Sequence, residues 1–506
     1  MREEPLMQRQ SSYRPLRPQP APRRSWLWLA VLGGVVFMVM AIGLVVLALV
    51  LLPLLQARPS APAESAWVPP PEGQVVRYRT EEPAAAPAPA GPAQEPAQAE
   101  RVPAPADNPP PPNTSEAVQA AVPAPAGEVA AQPVVEPSPT PVPPPPTDTP
   151  VPEPTPTKKR SSPSAAVASG FAYGIQVNPA SPPQEVAQHL RTLGIRWVKF
   201  QMSWKETEHQ PGVYNWAEWD RILLAYHQQG FYVLMSVAKA PDWARPANTD
   251  LSQEGPPADP NTFARFLGEM AQRYKGGVHA IEVWNEQNLA REGGGAPMPA
   301  DAYVAMLAAA YRAIKTADPS IVVVSGAPTP AGDVPGAAID DISYLNAMYA
   351  AGLKNVSDAI GAHPSGYNCP ADADWQTVTN PTAGFRGPFD NRHHSWCFRG
   401  TMEGYRNVMV ANGDSRKLIW PTEFGWAVAN PPPPSYEYAA DNTREQQAQW
   451  IVSAFQQAQA WGWVGPMFLW NLNYAITNPG SEQAAFSILT PEGPTPAYLA
   501  LAALPK

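Results

Sequence analysis

Eight short apolar runs recur along residues 169–506 and constrain the fold more than any other feature of the sequence. Amphipathic stretches of helical period separate them, and this alternation is typical of parallel strands joined by crossover helices. Eight such strands are the number that closes an α/β TIM barrel, written (β/α)8. An open doubly wound sheet is the alternative, but it usually carries a glycine-rich phosphate turn after an early strand, and GIQVN after the first run is no such turn. The runs are 172–177, 196–201, 232–238, 280–284, 321–326, 359–363, 418–422 and 466–470.

The N-terminal part of the chain has a different character. Residues 26–55 contain no charged side chain, and this run is long enough to cross a hydrocarbon core, which needs about 20 apolar residues. The apolar region of a cleaved signal peptide is only about 7–15 residues long. Arginines are frequent before the run and rare just after it. We therefore predict a cytoplasmic basic tail at 1–25, a single-pass transmembrane anchor at 26–55 and an extracellular remainder at the cell membrane.

Proline dominates the next segment, residues 56–168, which holds nearly half of the 67 prolines in the chain. A segment rich in Pro, Ala and Thr cannot bury enough apolar surface to offset its chain entropy, so we predict a disordered, semi-rigid linker. Glycosylation of this linker stays open. The composition changes near Gly170, and residues 169–506 are predicted to form one globular domain.

Charge and cysteine content narrow the possible partners. The formal net charge of −9 and the pI near 5.4 argue against a nucleic-acid-binding protein, which needs a basic face to meet phosphates. The two cysteines, Cys369 and Cys397, are too few for a disulfide-dense scaffold. If the domain is exported we expect them to form a disulfide, and the alternative is two buried thiols.

Carboxylates stand at the ends of two predicted strands. Glu286 follows the fourth strand in VWNEQN, and Glu423 follows the seventh in WPTEFGW. Active sites of (β/α)8 barrels lie at the carboxyl ends of the strands, so both side chains are expected at one rim. Cleavage of a glycosidic bond with retention needs two carboxyl groups about 5–5.5 Å apart, one as nucleophile and one as acid and then base. The pair therefore predicts a retaining glycoside hydrolase.

The sequences WNEQN and PTEFGW resemble the two catalytic strands of glycoside hydrolase clan A, which includes cellulases and β-xylosidases. The resemblance covers the chain from about Gly170 onward, and it departs from many clan members at Gln287, where they have proline. It implies Glu286 as acid/base and Glu423 as nucleophile. The remaining implied roles are a hydrogen bond from Asn285 to the sugar 2-hydroxyl, a positioning pair beyond strand six (His363 and Tyr367) and an aromatic floor under the sugar (Trp470).

Other aromatic residues could also bind sugar. Trp204 and Trp243 follow strands two and three, where they could stack on a sugar or simply fill the core. The long segment 364–416 is rich in aromatic residues, and we expect it to form a wall of the substrate cleft held by the two cysteines. It contains His393 and His394, which lack the usual spacing of zinc ligands, so we predict no metal site there and no cofactor.

The sequence leaves three functions open. The first is a membrane-anchored retaining hydrolase that cleaves β-glycosidic bonds of an extracellular poly- or oligosaccharide. The second is a non-catalytic carbohydrate-binding module on a stalk. The third is a transglycosylase of the cell envelope that uses the same two carboxylates.

Overall fold

The computed structural model describes residues 170–506. The predicted basic tail, transmembrane anchor and proline-rich linker, residues 1–168, lie outside the described residues. Among residues 170–506, no helix has both the length and the apolar character needed to cross a bilayer.

Eight parallel strands form the centre of the domain. Six of them pair in the order β5-β4-β3-β2-β1-β8, and β6 pairs with β7. Single bridges from Val324 to Ala359 and from Ile419 to Val464 join these two groups, so the sheet curls around and is consistent with the predicted (β/α)8 barrel. The strands are β1 (Ala172–Gln176), β2 (Trp197–Ser203), β3 (Tyr232–Ala238), β4 (Ala280–Val283), β5 (Val322–Ser325), β6 (Ile360–Ala362), β7 (Ile419–Pro421) and β8 (Pro466–Leu469).

One long helix follows each strand and packs on the outside of the sheet. The last crossover helix begins with a capping box, in which Thr443 and Gln446 each bond the backbone of the other, and it ends at Gly462 in a left-handed conformation. The helices are α1 (Pro183–Thr192), α2 (Ala217–Gln228), α3 (Pro260–Arg273), α4 (Ala300–Ala317), α5 (Asp341–Ala350), α6 (Phe398–Ala411), α7 (Arg444–Trp461) and α8 (Pro496–Ala503). Short helical turns lie at Trp204–Thr207, Ala290–Gly293, Gly387–Asp390 and Tyr474–Thr477, and a small hairpin joins β9 (Leu489–Thr490) to β10 (Gly493–Pro494).

Polarity changes along the interior of the curled sheet. An apolar cluster that includes Trp197, Trp420 and Phe468 fills the end where the strands begin. Lys199 and Gln201 lie two and four residues after Trp197 in β2. Their side chains point to the same face as Trp197, because side chains alternate between the two faces of a strand. Buried polar residues on neighbouring strands continue this layer, namely Gln176, Ser236, Glu282, Ser325 and Thr422. Polar side chains therefore line the interior near the carboxyl ends of the strands.

The segment between β6 and α6 is held by a disulfide. Cys369 and Cys397 are both fully buried and bonded, with Cα atoms 5.5 Å apart, as the sequence analysis expected for an exported domain. The predicted loop 364–416 was too long at its C-terminal end, because α6 begins at Phe398. Phe398, Met402, Tyr405 and Met409 are buried along one face of that helix at helical spacing.

The disulfide allows a test of stability. We expect the double variant Cys369→Ala/Cys397→Ala to lower the free energy of unfolding by about 3–4 kcal/mol, since the unfolded chain regains the freedom of a loop of 28 residues. Urea unfolding measures this difference. A reductant should destabilise the wild-type protein similarly and leave the double variant unchanged. Equal stability of variant and wild type would contradict the prediction.

Candidate active site

Glu286 reaches the cavity through an unusual backbone turn after β4. Both Trp284, with φ of 76°, and Glu286, with φ of 43°, occupy the left-handed region that side-chain-bearing residues rarely adopt. The Glu286 N–H donates to the carbonyl of Ala327 at 3.0 Å, which ties this turn to the chain after β5. Strained backbone of this kind often marks functional sites, and here it directs a mostly buried carboxylate into the cavity.

Glu423 lies directly across from Glu286. One carboxylate oxygen of each glutamate and one ring nitrogen of His363 all lie within 4.8 Å of one another. Glu423 Oε1 accepts hydrogen bonds from Lys199 Nζ at 2.7 Å and from Gln201 Nε2 at 3.2 Å. The curled sheet thus brings together the two carboxylates that the sequence placed at the ends of the fourth and seventh strands.

Lys199 is fully buried between two carboxylates. Its Nζ lies 3.6 Å from Glu282 Oε2 and 2.7 Å from Glu423 Oε1. Glu282, also fully buried, accepts a hydrogen bond from Thr422 Oγ1 at 2.6 Å. A buried charge is tolerated only when partners compensate it, so these side chains act as one unit beneath the site. The sequence analysis missed both Lys199 and Glu282, although a charged residue within an apolar strand is a visible signal.

His363 connects the two glutamates of the cavity. Its Nδ1 lies 3.1 Å from Glu286 Oε1 and 3.8 Å from Glu423 Oε2, while its Nε2 lies 3.9 Å from Glu282 Oε1. Burial lowers the pKa of His363, but the three carboxylates, Glu423 foremost, outweigh burial and hold the pKa above its usual value. The predicted contact of His363 with the site is present, and its shortest contact is with Glu286.

Arg291 forms an ion pair with Glu286 from a short helical turn beside β4. Burial raises the pKa of Glu286, but the Arg291 charge and the hydrogen bond from His363 together hold the pKa below its usual range. The neighbouring Glu292 shows the opposite shift, because burial and then the Glu286 charge raise its pKa to about 7. The sequence analysis identified neither Arg291 nor Glu292.

The cavity around the two glutamates has a volume of about 1100 Å³. Four predicted binding residues, Asn285, His363, Tyr367 and Trp470, line it. Asn285 Oδ1 is buried and accepts no hydrogen bond from the described residues, so it can accept one from a ligand hydroxyl. Tyr367 donates its hydroxyl to the carbonyl of Pro330 at 3.3 Å instead of to Glu423. Its role at the nucleophile, which the resemblance implies, therefore has no direct contact in this structure.

Neither Trp204 nor Trp243, the two residues that could stack on a sugar or fill the core, lines the cavity. Trp204 is fully buried against Phe263 and Phe266 of α3. Trp243 packs edge-on against Trp204. Trp219 of α2 lines the cavity instead. Further aromatic side chains line it as well, namely Tyr436, Tyr438, Tyr474 and Phe486.

Comparisons with known proteins support the fold. The sequence profile of the cellulase family, glycosyl hydrolase family 5, matches residues 162–377. A family 39 glycoside hydrolase from Bacteroides cellulosilyticus WH2 superposes with a TM-score of 0.50 at 18% identity, over 67% of this chain and 64% of that one. The match thus spans less than two thirds of the Bacteroides protein. A monomeric β-xylosidase from Caulobacter crescentus CB15 gives a TM-score of 0.46 at 19% identity, over 67% of this chain and 69% of that one. No curated protein sequence matches the chain.

The buried network beneath the site predicts a stability effect. We expect Lys199→Met to lower the free energy of unfolding by about 3–5 kcal/mol, because it leaves Glu282 buried without a compensating cation. Adding Glu282→Gln to Lys199→Met should recover part of that loss, since it removes the uncompensated charge. Urea unfolding of both single variants and the double variant measures the coupling. Additive effects of the two substitutions would show that the pair does not act as a unit.

Proposed function

We propose that the described domain is a glycoside hydrolase of clan A that cleaves β-glycosidic bonds of an extracellular poly- or oligosaccharide with retention of configuration, and the match of residues 162–377 to the glycosyl hydrolase family 5 profile supports this. One observation carries the proposal. A carboxylate oxygen of Glu286 and one of Glu423 lie within 4.8 Å of each other across the cavity. Retaining enzymes hold their two carboxyl groups about 5–5.5 Å apart, whereas inverting enzymes need about 6.5–9.5 Å to admit a water molecule.

In the first step Glu423 is the nucleophile and Glu286 is the acid. A Glu423 oxygen attacks the anomeric carbon while Glu286 gives its proton to the glycosidic oxygen, so the bond between the two sugars breaks and a glycosyl ester forms on Glu423. Lys199 and Gln201 hold the attacking carboxylate in place. Asn285 Oδ1 can accept a hydrogen bond from a sugar hydroxyl in the transition state.

In the second step Glu286 acts as the base. It takes a proton from a water molecule, the water oxygen attacks the anomeric carbon, and Glu423 leaves as the free carboxylate. Two inversions at the same carbon give net retention. Glu286 ends the cycle protonated again, because the proton from the water replaces the one that left with the first sugar.

The ion pair between Arg291 and Glu286 affects the protonation of Glu286 in the first step. Glu286 is ionised while Arg291 is paired with it, but an acid must carry a proton. The Arg291 side chain is 61% exposed and extends from a turn whose last residue, Gly293, begins a run of three glycines. A leaving-group sugar bound beside Glu286 would occupy the place of the guanidinium and let Glu286 take up a proton. We infer that substrate binding and protonation of Glu286 are coupled.

The cavity favours a substrate longer than one sugar. Its volume of about 1100 Å³ exceeds the upper end of ordinary small-ligand pockets, and its lining includes Trp219, Trp470, Tyr436 and Tyr474. Aromatic faces of this kind pack against the C–H faces of sugar rings. The charge-free run at 26–55 and the arginines before it support the further proposal of a membrane anchor with the catalytic domain outside the cell.

Azide separates the roles of the two glutamates. Glu423→Ala should abolish turnover of an aryl β-glycoside, and added azide should restore it with an inverted glycosyl azide, because azide enters the space of the nucleophile. Glu286→Ala should slow cleavage of substrates with poor leaving groups by about 10²–10⁴-fold but spare activated aryl glycosides in the first step, and azide should give a retained product. Rates and product configuration are read by absorbance and NMR.

A control for both variants is Glu185→Gln on α1, an exposed carboxylate that lies outside the cavity and should leave the rates unchanged. Full activity of Glu423→Ala would end the proposed mechanism. Binding of glycans without any hydrolysis by the wild-type chain would favour the non-catalytic module instead.

The pH profile tests the role of Arg291. Activity requires protonated Glu286, so it is lost as the pH rises through the pKa of that group, and this sets the basic limb of kcat/KM. Arg291→Ala removes a cation that lowers this pKa, so the basic limb should move to higher pH. Arg291→Lys keeps the charge and should move the limb less. A basic limb that stays in place in Arg291→Ala would show that another group controls it.

A further inference from the structure

A second cluster of titratable side chains lies away from the two catalytic candidates. It forms where the segment before α6 meets the start of α5. Asp340 Oδ2, His393 Nε2 and His394 Nε2 all lie within 4.8 Å of one another. Asp341 Oδ1 lies 3.2 Å from the same His394 nitrogen. Two imidazoles and two carboxylates from two parts of the chain therefore converge on one point.

The spacing of these atoms fits a metal site. Asp340 Oδ2 lies 3.4 Å from His393 Nε2 and 3.2 Å from His394 Nε2. Tetrahedral Zn²⁺ with bonds of about 2.0–2.2 Å to nitrogen and oxygen places its ligand atoms about 3.3–3.5 Å apart.

Two buried carboxylate oxygens in the cluster lack hydrogen bonds. Asp340 Oδ1 accepts the N–H of Ser343 at 2.7 Å as the N-cap of α5, but Oδ2 accepts no hydrogen bond from the described residues. Asp341 Oδ2 is likewise buried and without one. Asp340 is 7% exposed and Asp341 is fully buried. Such oxygens are costly unless something binds them, and Asp340 Oδ2 faces both imidazoles.

We propose that Asp340, His393 and His394 bind a divalent transition-metal ion, with Zn²⁺ preferred. Two imidazole nitrogens and one carboxylate oxygen are a ligand set that suits zinc, and Asp341 provides a further carboxylate beside it. The positive end of the α5 dipole disfavours a cation here, and the two carboxylates counter it.

The surroundings orient the proposed ligands. His393 Nδ1 lies 3.0 Å from Ser395 Oγ, which donates to Asp341 Oδ1 at 2.5 Å. The Ser395 N–H also lies 3.4 Å from the same Nδ1, so Ser395 contacts this nitrogen through both its backbone and its side chain and holds the ring in place. Ser395 Oγ also lies within hydrogen-bonding distance, 3.0 Å, of the Ala331 carbonyl.

The ion would fix one wall of the active-site cavity. Trp396, two residues after His394, packs edge-on against Tyr367 at 4.9 Å between ring centroids. Tyr367 lines the cavity. The ion would tie the segment before α6 to α5 beside the disulfide at Cys397, so its role is structural and it does not touch the substrate.

The test uses the full chain after treatment with a chelator. Calorimetric titration with ZnCl₂ should show one equivalent bound, and bound zinc should raise the Tm because it binds only the folded state. The double variant His393→Gln/His394→Gln should weaken binding by more than about tenfold and remove the Tm increase. His209→Gln is the matched control, since this histidine is exposed and outside the cluster, and it should bind like the wild type.

Two further measurements distinguish the proposed metal site from the active-site cluster and from poor folding of the double variant. Glu286, His363 and Glu423 also converge within 4.8 Å, so Glu423→Gln must leave the zinc stoichiometry unchanged. Cobalt bound to the wild-type chain should show visible d–d absorption that the single variant His393→Gln loses, which tests coordination even where the double variant folds poorly. The proposal is overturned if the wild-type chain binds no zinc, or if binding follows Glu423→Gln instead of the histidine variants.

Discussion

The site depends on the two ion pairs that the buried ammonium group of Lys199 forms. This group lies between Glu282 and Glu423, and both Lys199 and Glu282 are fully buried. Removing any one partner would leave an uncompensated charge in the interior, so the three side chains have to be present together. The arrangement holds the proposed nucleophile in place, because Glu423 receives a positive charge from below while its other oxygen faces His363 and the cavity.

The sequence predicted the outline of this arrangement because a strand is recognised from a short run of neighbouring residues. Eight apolar runs and two glutamates at strand ends can be read without knowing any long-range contact, and the curled sheet then brings Glu286 and Glu423 together. Lys199 was equally visible in WVKFQMS, but its partner Glu423 is 224 residues away in sequence. The sequence shows that such a charge needs a partner, and only the strand register shows which one.

Side-chain direction decides which aromatic residues reach the cavity. Trp204 follows β2 just as the catalytic candidates follow β4 and β7, yet it opens a helical turn and points outward against Phe263 and Phe266, while Trp219 reaches the cavity. The metal site that we propose differs from the sequence expectation, because the spacing of His393 and His394 argues against a site only if all ligands come from one segment. The third ligand, Asp340, comes from the start of α5, and no pattern local to His393 and His394 reveals it.

The charged side chains beneath the cavity affect the protonation of Glu286. Lys199 contacts Glu282 and Glu423, and Arg291 contacts Glu286. His363 lies among the same three carboxylates, which outweigh burial and hold the pKa of His363 above its usual value. When a sugar takes the place of Arg291, Glu286 loses its cation while His363 Nδ1 remains 3.1 Å from Glu286 Oε1. Because these two atoms are close, a protonated His363 can transfer its proton to Glu286. The proposed acid can therefore become protonated when the substrate is bound.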